Sequence, residues 1–224
     1  ASYYREAVFG LRKKPYIAVQ NPTHYGEFLI KTPWVISDAA TSWNWDGMEG
    51  KPAIVEVYAQ GDEVELLLNG TSLGKKAAGK EAGFRTLFET TYEPGILTAI
   101  SYENGHEIGR NELATAGCER TLCVEKEEYV GLKNAKQELV YVQVEMRDQN
   151  GVLVADDNQK ITLSVDGEVE VLGFGSGNPK PNYNFNEGVT ELFGGRAQII
   201  VKKPEGKATL TVTAENGIEG KVEL

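Results

Sequence analysis

Thirty-three carboxylates stand against 23 lysines and arginines in this 224-residue chain, so acid–base chemistry is the first thing its residues could do. A carboxyl that donates a proton near neutrality has to be desolvated or set beside a like charge. None of these carboxylates stands in a context that predicts such burial. Glu63 and Glu65 share one face of an alternating run, while Val64, Leu66 and Leu68 take the opposite, inward face and leave both glutamates to solvent. Asp156-Asp157-Asn158 lacks the spacing, central glycine and terminal glutamate of a calcium loop and reads as a solvated turn. His24 and His106 have no serine or cysteine motif around them and read as surface groups. Cys118 and Cys123 would face opposite sides of a strand and have no histidine nearby in sequence, so neither a disulfide nor a metal site is expected. Gly173-Phe174-Gly175-Ser176-Gly177 does not open a helix and is no phosphate cradle. No catalytic residue, metal ligand or cofactor is assigned.

Two segments hold residues suited to sugar. In the turn-rich stretch 174–188, Phe174, Tyr183 and Phe185 are interleaved with Asn178, Asn182, Asn184 and Asn186. Aromatic faces stack on sugar rings, and amides satisfy hydroxyls. Trp43 and Trp45 lie two apart and share a side if the chain there is extended. The candidate substrate contacts are therefore Trp43, Trp45, Asn178, Tyr183 and Phe185. A second reading stands beside each: aromatics that pin the loop to its own domain, and tryptophans that pack between domains.

The elements that must position these residues are strands. Four Asn-Gly pairs, at 69–70, 104–105, 150–151 and 216–217, each follow an alternating apolar run. Asn-Gly supplies the positive φ at both centres of a type I′ hairpin turn. Val140, Val142, Val144 and Met146 alternate with Tyr141, Gln143, Glu145 and Arg147, the period of a half-buried strand. Such runs recur about every ten residues, over 53–59, 63–68, 71–75, 84–91, 96–102 and 106–115, then 119–125, 139–148, 160–165, 168–173, 189–193, 196–202, 207–214 and 218–223. That spacing is the signature of β-sandwiches. Before them, residues 2–11 read as a helix capped by Ser2 and stopped at Gly10, and Tyr16-Ile17-Ala18-Val19 as a short extended piece. Residues 20–50 read as loop and hold Trp34, Trp43 and Trp45, expected to pack across a surface.

Charge narrows the partners. A net charge of -10 repels phosphate backbones and disfavours nucleic acid. No apolar run is long enough to span a bilayer, and acidity does not favour anionic membranes. Uncharged sugars are untouched by either argument.

Val55-Glu56-Val57-Tyr58 through Val64-Glu65-Leu66-Leu67-Leu68-Asn69-Gly70-Thr71-Ser72-Leu73-Gly74 resembles the sandwich that follows the catalytic barrel in bacterial glycoside hydrolase family 2, the β-galactosidase family. Ser42-Trp43-Asn44-Trp45 and Glu49-Gly50-Lys51-Pro52 are similar to the family's lead-in from barrel to sandwich. Ser2-Tyr3-Tyr4-Arg5-Glu6 and Lys14-Pro15-Tyr16-Ile17-Ala18-Val19 look like the last barrel helix and its exit. Gly177-Asn178-Pro179 and Phe193-Gly194-Gly195-Arg196-Ala197 resemble the next, more variable domain. The resemblance implies an all-β chain with two immunoglobulin-like β-sandwich domains in tandem, 51–117 and 118–224. A helical and irregular remnant of a TIM barrel, 1–50, would precede them. It further implies a piece of a longer retaining β-glycosidase whose two catalytic glutamates lie upstream, with the catalytic barrel as partner and oligomer contacts made through the parent enzyme. A free-standing carbohydrate-binding module and an Ig-like adhesion segment are the competing readings.

Overall fold

The computed structural model describes residues 2–28, 37–127 and 138–224. They form two compact units, Ala1–Thr115 and Ala116–Leu224, each built from two antiparallel sheets.

In the first unit, β1 (Tyr16–Val19), β2 (Pro52–Tyr58) and β5 (Arg85–Thr91) make a three-stranded sheet in the order β1-β2-β5. Its partner runs β4-β3-β6-β7, with β3 at Glu63–Leu68, β4 at Thr71–Ala77, β6 at Ile96–Glu103 and β7 at His106–Ala114. Period-two alternation places Val55, Val57 and Phe88 from one sheet against Val64, Leu66, Leu97 and Ala99 from the other, and this is the core. The helix α1 (Ser2–Val8) ends as its sequence predicts. Gly10 takes φ 72, and Leu11 N–H donates to the Glu6 carbonyl at 2.9 Å in a Schellman arrangement.

The reading of residues 1–50 as a tail separate from the sandwich differs from the structure. Tyr16–Val19 pairs with β2 in register Tyr16↔Tyr58 to Val19↔Val55, and Ile17, Val19 and Trp43 belong to the core cluster. The reason is area. A three-stranded sheet needs β1 to cover its flank, and the indole of Trp43 fills the end of the core against the edge of Tyr92, centroids 4.8 Å apart.

Two of the four Asn-Gly pairs form the expected turn. Asn69 (φ 51) with Gly70 (φ 80), and Asn104 (φ 52) with Gly105 (φ 77), have both centres left-handed. At 150–151 and 216–217 only the glycine is left-handed. There Gly151 N–H donates to the Asp148 carbonyl, and Gly217 N–H to that of Ala214, closing type I turns in three-residue loops. The extra residue takes up the twist that a two-residue loop would need a second positive φ to supply.

In the second unit the sheets run β12-β10-β14-β15 and β11-β13-β9-β8. Their strands are β8 (Arg120–Lys126), β9 (Leu139–Asp148), β10 (Lys160–Asp166), β11 (Val171–Gly175), β12 (Val189–Glu191), β13 (Arg196–Lys202), β14 (Thr209–Ala214) and β15 (Glu219–Glu223). Val142, Val144, Met146, Ile199 and Val201 meet Ile161, Leu210 and Val212 in the core. At one end, Asp148 is buried and accepts N–H bonds from Gly117, Asn150 and Val152 at 2.7–2.8 Å. Burial works to raise its pKa, but the donated bonds prevail and hold the carboxyl below its usual range.

Candidate functional site

An open groove lies on the outer face of the β11-β13-β9-β8 sheet. Alternation sends Gln143 and Glu145 outward from β9, and Arg196, Gln198 and Ile200 outward from β13. Antiparallel register then sets Arg196 opposite Glu145 and Gln198 opposite Gln143. One strand further, Gly175 sits beside Gln198 and Gly173 beside Ile200. Phe174, between the two glycines, points into the core and is buried.

The loop after β11 folds back so that Phe174 N–H donates to the Phe185 carbonyl at 2.8 Å. This lays the Phe185 ring over Gly175, where an added Cβ would come within 2.3 Å of the ring. The result is an open groove of about 590 Å³ with a glycine floor, walled by half-exposed Phe185 on one side and by amides and an ion pair on the other. Its volume is in the range of about 300–1,000 Å³ usual for small-molecule sites.

Electrostatically the groove is closed on itself. Glu145 accepts from Arg147 and from Arg196 Nε, the latter at 2.9 Å. Burial pushes the Glu145 pKa up, but these two guanidinium groups more than offset it, and the carboxyl is held below its usual range. Gln143 Nε2 donates to Glu127 at 2.5 Å, and Gln198 Nε2 to the same oxygen at 3.3 Å. Such a set presents amide donors and carboxylate acceptors of the kind that hydroxyl groups pair with.

Of the five candidate contacts read from the sequence, Phe185 lines this groove. Asn178 Oδ1 is taken by Lys180 N–H at 2.9 Å in a local turn. Tyr183 lies half-buried with Lys160 Nζ 5.8 Å from its ring centroid, away from the groove lining. Trp43 is fully buried, its Nε1 donating to the Glu93 carbonyl at 3.0 Å, so no face is left for a sugar. Trp45 is half-buried against the same core, with Nε1 donating to the Ser42 carbonyl at 3.2 Å. The segment joining them is not a strand, which removes the premise that they share a side. Trp34 lies outside the described residues.

Gln143, Glu145, Arg196 and Gln198 were missed by sequence reasoning, although the alternation of β9 does turn Gln143 and Glu145 outward. Nothing in the sequence says that β13 lies beside β9 in that register. A second oversight is Glu56. Between the inward-facing Val55 and Val57 it should be exposed, yet it is completely buried. Arg85 binds it through Nε and Nη2 at 2.8 and 2.6 Å, and Ser37, Gln20 and the Tyr58 hydroxyl also donate. Burial raises its pKa, but these bonds, Arg85 first, bring it down to about 2. It is an ionised structural group.

The chain thus carries two β-sandwich units in succession, with an open groove on the outer face of the second. Residues 126–223 match the glycoside hydrolase family 2 C-terminal domain 5, and residues 50–109 match a domain of unknown function, DUF4982. The chain belongs to glycoside hydrolase family 2, as a C-terminal region of that family. It is 30% identical over 180 residues to β-galactosidase BoGH2A of Bacteroides ovatus, covering 77% of this chain and 20% of the relative. It is 32% identical over 165 residues to a putative β-glucuronidase of Formosa agariphila, covering 71% of this chain and 16% of that one. The crystal structure of a glycosyl hydrolase family 2 member from Bacteroides cellulosilyticus superposes with TM-score 0.86 and 26% identity, over 100% of this chain and 30% of the other. The chain thus spans about a fifth or less of the curated relatives' length.

Proposed function

We propose that this chain is a non-catalytic accessory region of a family 2 β-glycosidase. In that setting it buttresses the catalytic barrel and presents the 174–188 loop toward carbohydrate. The observation that carries this is the state of its carboxylates. Every described carboxylate whose pKa clearly departs from its ordinary value is shifted down: Glu56, Glu65, Glu107, Glu145 and Asp148. Retaining hydrolysis needs one carboxyl held protonated about 5 Å from an ionised one. That pair would come from the barrel. The names of the relatives, a β-galactosidase and a putative β-glucuronidase, support β-galactosides or β-glucuronides as the parent's substrates.

Docking on the barrel is supported by the end of α1, where Phe9 and Leu11 are 73% and 77% exposed. Large apolar side chains in that state, two apart in the chain, suit an interface. The test is turnover of chromogenic β-galactoside and β-glucuronide by the purified chain. No hydrolysis above buffer is expected, and steady turnover that survives repurification overturns the reading. The second reading, a carbohydrate-binding module able to act alone, is favoured by the groove on the second unit.

A further inference from the structure

The floor of the groove raises a question that the chain itself does not answer. Gly173 and Gly175 are two apart on β11 and so face the same side of the sheet. Neither is among the glycines with positive φ, so the backbone does not require glycine at either position. Glycine inside a strand weakens it and often marks where a ligand or another backbone comes close. At Gly175 the cause is visible, because the Phe185 ring occupies the space of a side chain. At Gly173 a Cβ would meet nothing within 4 Å. No atom of the described residues fills that space, which Ile200 borders across the strand pair and Gln198 and Phe185 border on the Gly175 side.

We propose that the space above Gly173 is a binding site for a neutral oligosaccharide, seated with one pyranose over the glycine floor and against the Phe185 ring. The choice of sugar follows from the walls. An aromatic face presents a stacking surface to the C–H face of a pyranose. The Gln143 and Gln198 amides and the Glu145 and Glu127 carboxylates offer mixed donors and acceptors for hydroxyl groups. Among the described residues Arg196 is the one basic residue of the lining and is already paired with Glu145, while Glu127 adds a second carboxylate. Arg147 also binds the Glu145 carboxylate, so both guanidinium groups beside Glu145 are already paired and offer no free cation to a uronate or sulfate. This proposal rests on the family 2 reading only for the choice of sugars to try.

The test is isothermal titration calorimetry of the purified 224-residue chain against neutral β-linked galacto-, gluco- and xylo-oligosaccharides, with a uronate-containing oligosaccharide as contrast. At least one neutral chain is expected to bind, with amide shifts in NMR spectra concentrated on β9, β11 and β13. Gly173→Leu fills the site and is expected to weaken binding at least about tenfold while leaving the melting temperature unchanged or raised. Phe185→Ala, at a half-exposed position, is expected to weaken it by about tenfold and keeps the test valid if Gly173→Leu fails to fold. Absence of binding across the neutral panel, binding of the uronate alone, or binding that both variants leave intact would each overturn the proposal. The accessory-region reading is judged separately, by hydrolysis: turnover by the chain defeats it whatever the calorimetry gives.

Discussion

A single carboxylate shows how far residue identity can mislead. Glu56 is fully buried and Arg85 only 23% exposed, so removing the charge of one strands the other. Glu56→Gln is expected to destabilise the first unit by roughly 3 kcal/mol, the lower end for breaking a buried ion pair. Urea unfolding followed by tryptophan emission would measure it, since Trp43 sits in that core. The pH dependence follows from the same group. Its pKa falls from 4.5 to about 2 on folding, so its contribution is complete above about pH 4.5 and is lost as pH falls toward 2. The wild-type unfolding midpoint should drop steeply through that window, and the Glu56→Gln variant should drop less. A parallel pair of curves would show that other carboxylates dominate acid unfolding. Trp43→Ala, which empties the end of the same core, should be destabilising by about 3–5 kcal/mol in the same assay.

At the scale of elements, glycines separate three kinds of constraint. Gly95 has φ 145, and a Cβ there would fall 1.8 Å from Asn69 Oδ1, the atom that accepts from Ile96 N–H at 2.9 Å. Gly220 on β15 has no such strain, but a Cβ would lie 2.2 Å from the Leu122 carbonyl oxygen on β8, where the two sheets close on each other. Gly173 has neither constraint. Replaced by alanine in turn and compared by thermal unfolding, the first two should each lose about 1–3 kcal/mol. Gly173→Ala should be neutral or gain up to about 1 kcal/mol. Equal losses at all three would mean that β11 needs glycine for its own sake, which would remove the main argument for a ligand above it. The alternation of these strands was readable in the sequence because burial on one face imposes period two. The turn types at 150–151 and 216–217 were not, because loop length, set by where pairing stops, decides how many residues share the twist.

For the whole molecule, the proposed docking surface makes a prediction distinct from stability. Phe9→Ser with Leu11→Ser removes apolar area that is mostly exposed within the described chain. The melting temperature should stay within about 1 °C, as for surface substitutions generally. Association with a separately produced catalytic barrel should weaken, measurable by sedimentation. Unchanged association would place the interface elsewhere. What the sequence determined by itself was the all-β class, nearly every strand, and the kinship with family 2. Each of these depends on local alternation, turn chemistry or a contiguous motif such as Leu68-Asn69-Gly70 followed by Ser72-Leu73-Gly74. Only the tertiary structure decided that Trp43 is core, that Glu56 is buried and ionised, and that the groove is built from Phe185, Gln143, Glu145, Arg196 and Gln198. The physical reason is the same in all three cases. Burial, pKa and a binding surface depend on which strand lies beside which and in what register, and residues fifty positions apart carry no mark of being neighbours until the sheets close.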